Sequence, residues 1–278
     1  MRLRIMSIAA LVACGGTDEP NGPRPTTFGG DRPVTLQAPD PLEEGKLYPL
    51  VLLLHGYGAN AFVQQSYFGM KTLAADGDAL VLAPDGTVDS GGKQFWNADD
   101  FCCDFDNKNP DDVAYLGGMI DDVMAAWPVD PQRVLVIGHS NGGWMSYRMA
   151  CERADVITDI VALAGNTVAP ACAATQPVHI LHIHGTADGT VPYTEANVDE
   201  WATKEPCTGP RTPGADLDLD TALAGAETKT SSTAGCPADG AVDLWKIEGA
   251  GHVPNLSAEF EPRVWQWFLD HPRWRGTL

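Results

Sequence analysis

Val136-Ile137-Gly138-His139-Ser140-Asn141-Gly142-Gly143 sets one serine among glycines, directly behind an apolar run. The spacing is GxSxG. A chain with 29 glycines in 278 residues matches it by chance about one time in ten. The flanks give it meaning: RVLVIG (133–138) reads as a buried strand, and residues 141–154 read as the helix that follows. A turn that tight presses backbone on backbone, so side chains at Gly138 and Gly142 would clash. The serine is thereby thrust out at the carboxyl end of its strand, where open α/β sheets hold their ligands.

Other segments fit the same frame. LYPLVLLLHG (47–56), ALVLAPDG (79–86), DIVALAG (159–165), HILHIHG (179–185) and VDLWKIEG (242–249) are apolar runs of the kind buried on both faces. Phe62, Tyr67, Met70 and Leu73 recur at helical spacing within 60–75. Asp111 and Asp112 open a helix with the stripe Val113, Leu116, Ile120, Val123 and Trp127, and their expected work is capping and dipole compensation rather than catalysis. Phe260, Val264 and Phe268 line a closing helix. Alternating strands and helices predict an α/β fold, a mostly parallel central sheet with helices on both faces, in one domain over 29–278. Only 204–240 breaks the pattern. It is rich in Pro, Gly, Thr and Ser and contains DLDLD (216–220), but no EF-type calcium loop follows, so an acidic surface insertion is expected.

A hydroxyl is a poor nucleophile at neutral pH, so Ser140 needs a base, and the base needs an orienting acid. In this kind of fold the chain order is serine, acid, histidine. HGTADGTVPY places Asp188 just past one buried strand, and GAGHVPN places His252 just past the last. Both fall on the edge that carries Ser140, which makes the three a candidate triad. Asp243 is the nearest alternative acid in sequence. Oxyanion donors are expected at the amide of Asn141 and, from the glycine-flanked loop HGYG, at the amide of Tyr57. Trp96, Trp144 and His139 are candidate pocket walls, with core packing an equal reading. His182 and His184 share a strand face that His179 does not, which argues against a three-histidine metal site. No metal or cofactor is expected.

Composition narrows the partners. Hydrophobic residues make up 44% and charged residues 20%, a globular mix. The formal charge of −19 argues against nucleic acid and anionic membrane as partners. Arg2 and Arg4 precede the apolar run 5–13, which is too short for a span needing about 20 residues. The run reads as a signal peptide over 1–13, ending in LVAC. Export is expected, with Cys14 lipidated, 14–28 a flexible tether, and the membrane touched only through that lipid. Subtracting Arg2 and Arg4 from −19 leaves −21 on the mature chain. Six further cysteines, Cys102, Cys103, Cys151, Cys172, Cys207 and Cys236, allow up to three disulfides in 15 arrangements.

Together these motifs resemble a family of secreted α/β-hydrolases, the polyhydroxybutyrate depolymerases with the related feruloyl and acetylxylan esterases. The resemblance is carried by HGYGAN (55–60), WNADDFCCDFDNKNPDDVAYL (96–116), VIGHSNGG, RMACERAD (148–155), HGTADGTVPY and the Cys207…Cys236 segment leading to GAGH. It implies catalytic Ser140, Asp188 and His252, oxyanion amides at Tyr57 and Asn141, and a Cys207–Cys236 bridge that steadies the approach to His252. It also implies a metal-free ester hydrolase. A monomer is expected, acting on an ester that is a small molecule, an oligomer or a polysaccharide side group. Where family members often carry a tryptophan after the histidine, this chain has GHVPN. Two other readings of the same machinery are a serine peptidase and a non-catalytic surface lipoprotein.

Overall fold

The computed structural model describes residues 23–167, 174, 176–237 and 240–273. Thr27–Phe28 (β1) pairs antiparallel with Val34–Thr35 (β2). Then come Tyr48–Leu54 (β3), Ala61–Phe68 (α1), Leu80–Leu82 (β4), the ribbon of Thr87–Val88 (β5) and Gln94–Phe95 (β6), Asp112–Ala126 (α2) and Val129–His139 (β7). Asn141–Glu152 (α3), Asp159–Leu163 (β8), His179–Gly185 (β9) and Ala196–Lys204 (α4) follow. Arg211–Pro213 (β10), Thr228–Thr233 (β11), Val242–Ile247 (β12) and Phe260–Asp270 (α5) complete the order.

Eight strands form one sheet in the order β10-β11-β12-β9-β8-β7-β3-β4. From β12 to β4 every pairing is parallel, whereas β10 and β11 join antiparallel at one edge. The period-2 alternation of a strand splits the core in two. Leu50, Leu52, Leu54, Val134 and Val136 pack toward Leu116, Ile120 and Val123 of α2 and Met145 and Met149 of α3. Val51, Leu53, Leu135 and Ile137 pack toward Phe68 of α1 and Phe260, Val264 and Phe268 of α5. Each such side chain contributes about 1.5–3 kcal/mol by leaving water, so both faces hold the central strands in register.

Two segments depart from expectation. The helical spacing over 60–75 yields only one helix, 61–68, because Gly69 takes a left-handed φ of 74° and caps it. Met70 and Leu73 are still buried, but from turns, and Phe62 faces solvent. Residues 204–240 are not surface loop throughout. They supply β10 and β11, and within DLDLD Leu219 and Asp220 are buried, their amides held by Glu227 Oε1 at 3.0 and 2.9 Å. A disulfide joins Cys207 to Cys236, and another joins adjacent Cys102 and Cys103. Cys151 is also disulfide-bonded. Cys14, with the expected signal and lipid site, and Cys172 lie outside the described residues. No helix among the described residues is long and apolar enough to cross a membrane.

Candidate active site

β7 ends at His139 and α3 begins at Asn141, so Ser140 alone makes the turn. Its φ is 53°, a left-handed value that costs a non-glycine residue about 1–3 kcal/mol. The surroundings enforce it: Ser140 N donates to Leu163 O at 2.8 Å, and Trp144 N donates to Ser140 O at 3.0 Å. The flanking glycines are required by contact. A Cβ at Gly138 would strike the backbone of Gly142, and one at Gly142 would strike the Leu54 carbonyl.

Three loops at the carboxyl edge of the sheet converge there. His252 Nε2 lies 2.8 Å from Ser140 Oγ, and His252 Nδ1 lies 2.7 Å from Asp188 Oδ2. An ionised carboxylate only accepts, so Nδ1 carries the ring hydrogen and Nε2 offers its lone pair to the hydroxyl. Asp188 is buried, which pushes its carboxyl up. Bonds from His252, Val191 and Thr190 outweigh that and hold it below the ordinary carboxylate range. Oδ1 accepts from the amides of Thr190 at 2.8 Å and Val191 at 2.9 Å. A hydroxyl bonded to a neutral imidazole, itself bonded to a buried carboxylate, can release its proton as it attacks a carbonyl.

The segments that carry the two expected donors both adjoin Ser140. Asn141 is the first residue of α3, so its N–H belongs to the first turn, which has no partner within the helix. A Cβ at Gly56 would come 3.4 Å from the Ser140 Cβ, which brings the Gly56-Tyr57 loop against the serine. The Tyr57 phenol donates to Asp89 Oδ2 at 2.6 Å, a bond that pushes its pKa up to about 12 and ties the loop to the β5–β6 ribbon.

Of the three pocket candidates, Trp96 is corrected. It is fully buried, its indole donates to His55 O at 3.0 Å, and it belongs to the core. Its backbone is clasped by the Asn141 side chain, whose Oδ1 accepts from Trp96 N at 2.7 Å and whose Nδ2 donates to Trp96 O at 2.9 Å. His139 stands behind the triad: its Nε2 is 2.9 Å from His252 O and its ring packs on the His252 ring at 5.1 Å. Burial brings its pKa down to about 4, so it stays neutral. Trp144 is half-buried against the core. Asp243 accepts from the Trp267 indole at 2.8 Å and takes no part.

The sequence reading missed the Asn141 clasp, which nothing in residue type signals. Asp111 and Asp112 divide the expected work of capping and dipole compensation, with Asp112 in the first turn of α2. Asp111 is the cap, accepting from Ala114 N, while buried Asp112 pairs with Arg32 at 2.6 Å and holds Asn97 N at 2.7 Å, behind the site.

A parallel sheet covered by helices on both faces, with a left-handed serine on the turn after a central strand, defines an α/β-hydrolase. The chain belongs to the phospholipase/carboxylesterase family, whose model matches residues 43–208, a stretch that includes Ser140 and Asp188. Its class is therefore that of an ester hydrolase. Among similar proteins, feruloyl esterase D of Neurospora crassa is 25% identical over 286 residues, spanning 95% of this chain and 91% of that one. Feruloyl esterase C of Emericella nidulans is 28% identical over 200 residues, 68% of each chain. The acetyl xylan esterase from Aspergillus awamori superposes with a TM-score of 0.61 over 85% of this chain and 93% of that one, at 14% identity.

Proposed function

We propose that the chain is an exported serine esterase that cleaves carboxylic esters through an acyl-enzyme, with aromatic acyl esters of the feruloyl type as substrates. The observation that carries the reading is the unbroken line Ser140 Oγ–His252 Nε2, 2.8 Å, and His252 Nδ1–Asp188 Oδ2, 2.7 Å, seated on a glycine-cleared turn. Ser140 attacks the ester carbonyl while His252 takes its proton, and the amides of Tyr57 and Asn141 receive the oxyanion. His252 then gives the proton to the departing alcohol. Water, deprotonated by the same imidazole, attacks the acyl-enzyme, and the imidazolium returns that proton to Ser140 Oγ as the acyl–oxygen bond breaks and the acid departs. Asp188 stays ionised throughout and stabilises the imidazolium. The acyl preference rests on the feruloyl esterase relatives. Export and lipid attachment at Cys14 rest on the basic and apolar N-terminus.

The test is a panel of short p-nitrophenyl esters, methyl ferulate, acetylxylan and a hydroxybutyrate trimer, run on the mature chain beside Ser140→Ala. Turnover abolished by Ser140→Ala, with methyl ferulate the preferred substrate, is expected. A Ser140→Ala protein as active as its parent on every ester would remove the serine reading, and preference for another ester would replace the acyl assignment.

A further inference from the structure

Behind Asp188 the polar line does not stop. His182 and His184 lie two residues apart on one face of β9, and both are fully buried, as is Tyr147 of α3. Tyr147 Oη lies 2.9 Å from His182 Nδ1, and His182 Nε2 lies 3.1 Å from His184 Nδ1. His184 Nε2 lies 3.1 Å from Asp188 Oδ2 and 2.9 Å from Val191 O. Resting on the serine-esterase reading above, we infer that His184, backed by His182 and Tyr147, is a positioning residue that fixes the Asp188 carboxylate through a hydrogen-bond line running one way.

The direction follows from the acceptors. Val191 O and the Asp188 carboxylate can only accept, so His184 Nε2 carries a hydrogen. Burial lowers the pKa of both His182 and His184 and keeps them neutral, so His184 Nδ1 is a lone pair. His182 Nε2 must then donate to it, which leaves His182 Nδ1 to accept from the Tyr147 hydroxyl, a phenol that burial keeps protonated. Every hydrogen points toward Asp188, and such a chain polarises each successive bond. His252 and His184 share Oδ2, while Thr190 and Val191 hold Oδ1, so four donors set the plane of the carboxylate. Removing the His184 donor frees the oxygen that orients His252, while nothing that would meet the substrate is touched.

Three measurements test this. Long-range 15N–1H spectra of the unaltered mature protein are expected to show both His182 and His184 as Nε2–H imidazoles. An Nδ1–H or charged form of either overturns the inference. On a p-nitrophenyl ester, His184→Phe is expected to lower kcat about 10- to 100-fold with KM held within about twofold. His184→Gln, whose amide restores a donor, should recover most of the loss, and Tyr147→Phe should show a smaller fall in kcat. Parent-like kcat in His184→Phe, or equal damage from Phe and Gln, overturns it. If His184→Phe does not fold, the spectra and Tyr147→Phe decide, and an unchanged kcat in the latter counts against the line. Ser140→Ala separates the two claims. Full activity in Ser140→Ala removes the esterase mechanism while the spectra still report the line, whereas an inactive Ser140→Ala beside a parent-like His184→Phe removes the positioning role alone.

Discussion

Replacing Asp188 by Asn changes one oxygen for an NH2, and the structure leaves that group no good place. At the Oδ1 position it would face the amides of Thr190 and Val191, which can only donate. At the Oδ2 position it would face His184 Nε2, pinned as a donor by Val191 O, and His252 Nδ1. Only His252 can change tautomer, so the amide nitrogen goes to that side, and the ring hydrogen moves to Nε2. The imidazole then points a hydrogen at the Ser140 hydroxyl and cannot take its proton. Two losses add up: the wrong tautomer and the missing countercharge for the imidazolium. Each is worth about 2–3 kcal/mol, the range of a charge-assisted hydrogen bond, so about 5 kcal/mol, or about 10⁴ in kcat, should disappear. The assay is kcat on a p-nitrophenyl ester, corrected for folded protein by thermal melting, with 15N spectra to read His252. A fall of less than about 30-fold, or an Nδ1–H imidazole at His252 in the variant, would refute the reasoning.

Further perturbations separate turn, staple and buried acid. Gly138→Ala drives a Cβ into the Gly142 backbone, whereas Gly118→Ala in α2 meets nothing within 4 Å. The first should cost at least about 3 kcal/mol in denaturant melts and the second should gain about 0.5–1 kcal/mol; a benign Gly138→Ala would contradict the elbow packing. The Cys207–Cys236 bridge spans 29 residues, and closing a loop of that size stabilises by about 3–4 kcal/mol. The double serine variant should melt lower by that amount, and an unchanged melt would show that the sheet edge holds unaided. Glu205 is buried, which pushes its pKa from the ordinary 4.5 up to about 7. Because its folded pKa is raised, its contribution is greatest below about pH 4.5 and is lost as pH rises toward 7, on the order of 2–3 kcal/mol. Glu205→Gln should flatten that part of the stability curve, and an unaltered slope would reject the assignment.

Periodicity exposed the sheet because β3, β8 and β9 are buried on both faces, so each reads as an unbroken apolar run. It missed β10 and β11 for the opposite reason. RTP and TKTSST lie at an edge, where half-solvated strands need no apolar run to pair. Chain order and sheet edge were enough to nominate Ser140, Asp188 and His252, since loops after parallel strands emerge on one side. The Asn141 clasp on Trp96 was out of reach because it depends on where a distant backbone passes. The histidines of β9 left a trace, the shared face of His182 and His184, but only their contact with Asp188 gives it meaning.

Strand order explains why the His252 loop needs so many supports. β7 and β12 are three strand spacings apart, about 14 Å at the usual 4.8 Å separation, so His252 must lean far across the sheet to reach Ser140. The crossing is made at close quarters. A Cβ at Gly185 would strike Ala250 O, and Ala187 N donates to that same carbonyl at 2.9 Å, so the Asp188 loop serves as the floor of the His252 loop. Beyond the imidazole, Tyr67 Oη donates to Pro254 O at 3.0 Å, Thr221 N to Asn255 O at 2.8 Å and Ser257 N to Leu219 O at 2.8 Å. Two of those three holds come from the acidic segment past Cys207. That segment therefore braces the histidine as well as extending the sheet, and its buried Leu219 anchors the brace in the same core that packs behind β7. An imidazole held by bonds on both sides of its loop keeps the 2.8 Å contact to the serine without waiting for substrate to form it, which is the preorganisation that the proposed proton transfer requires.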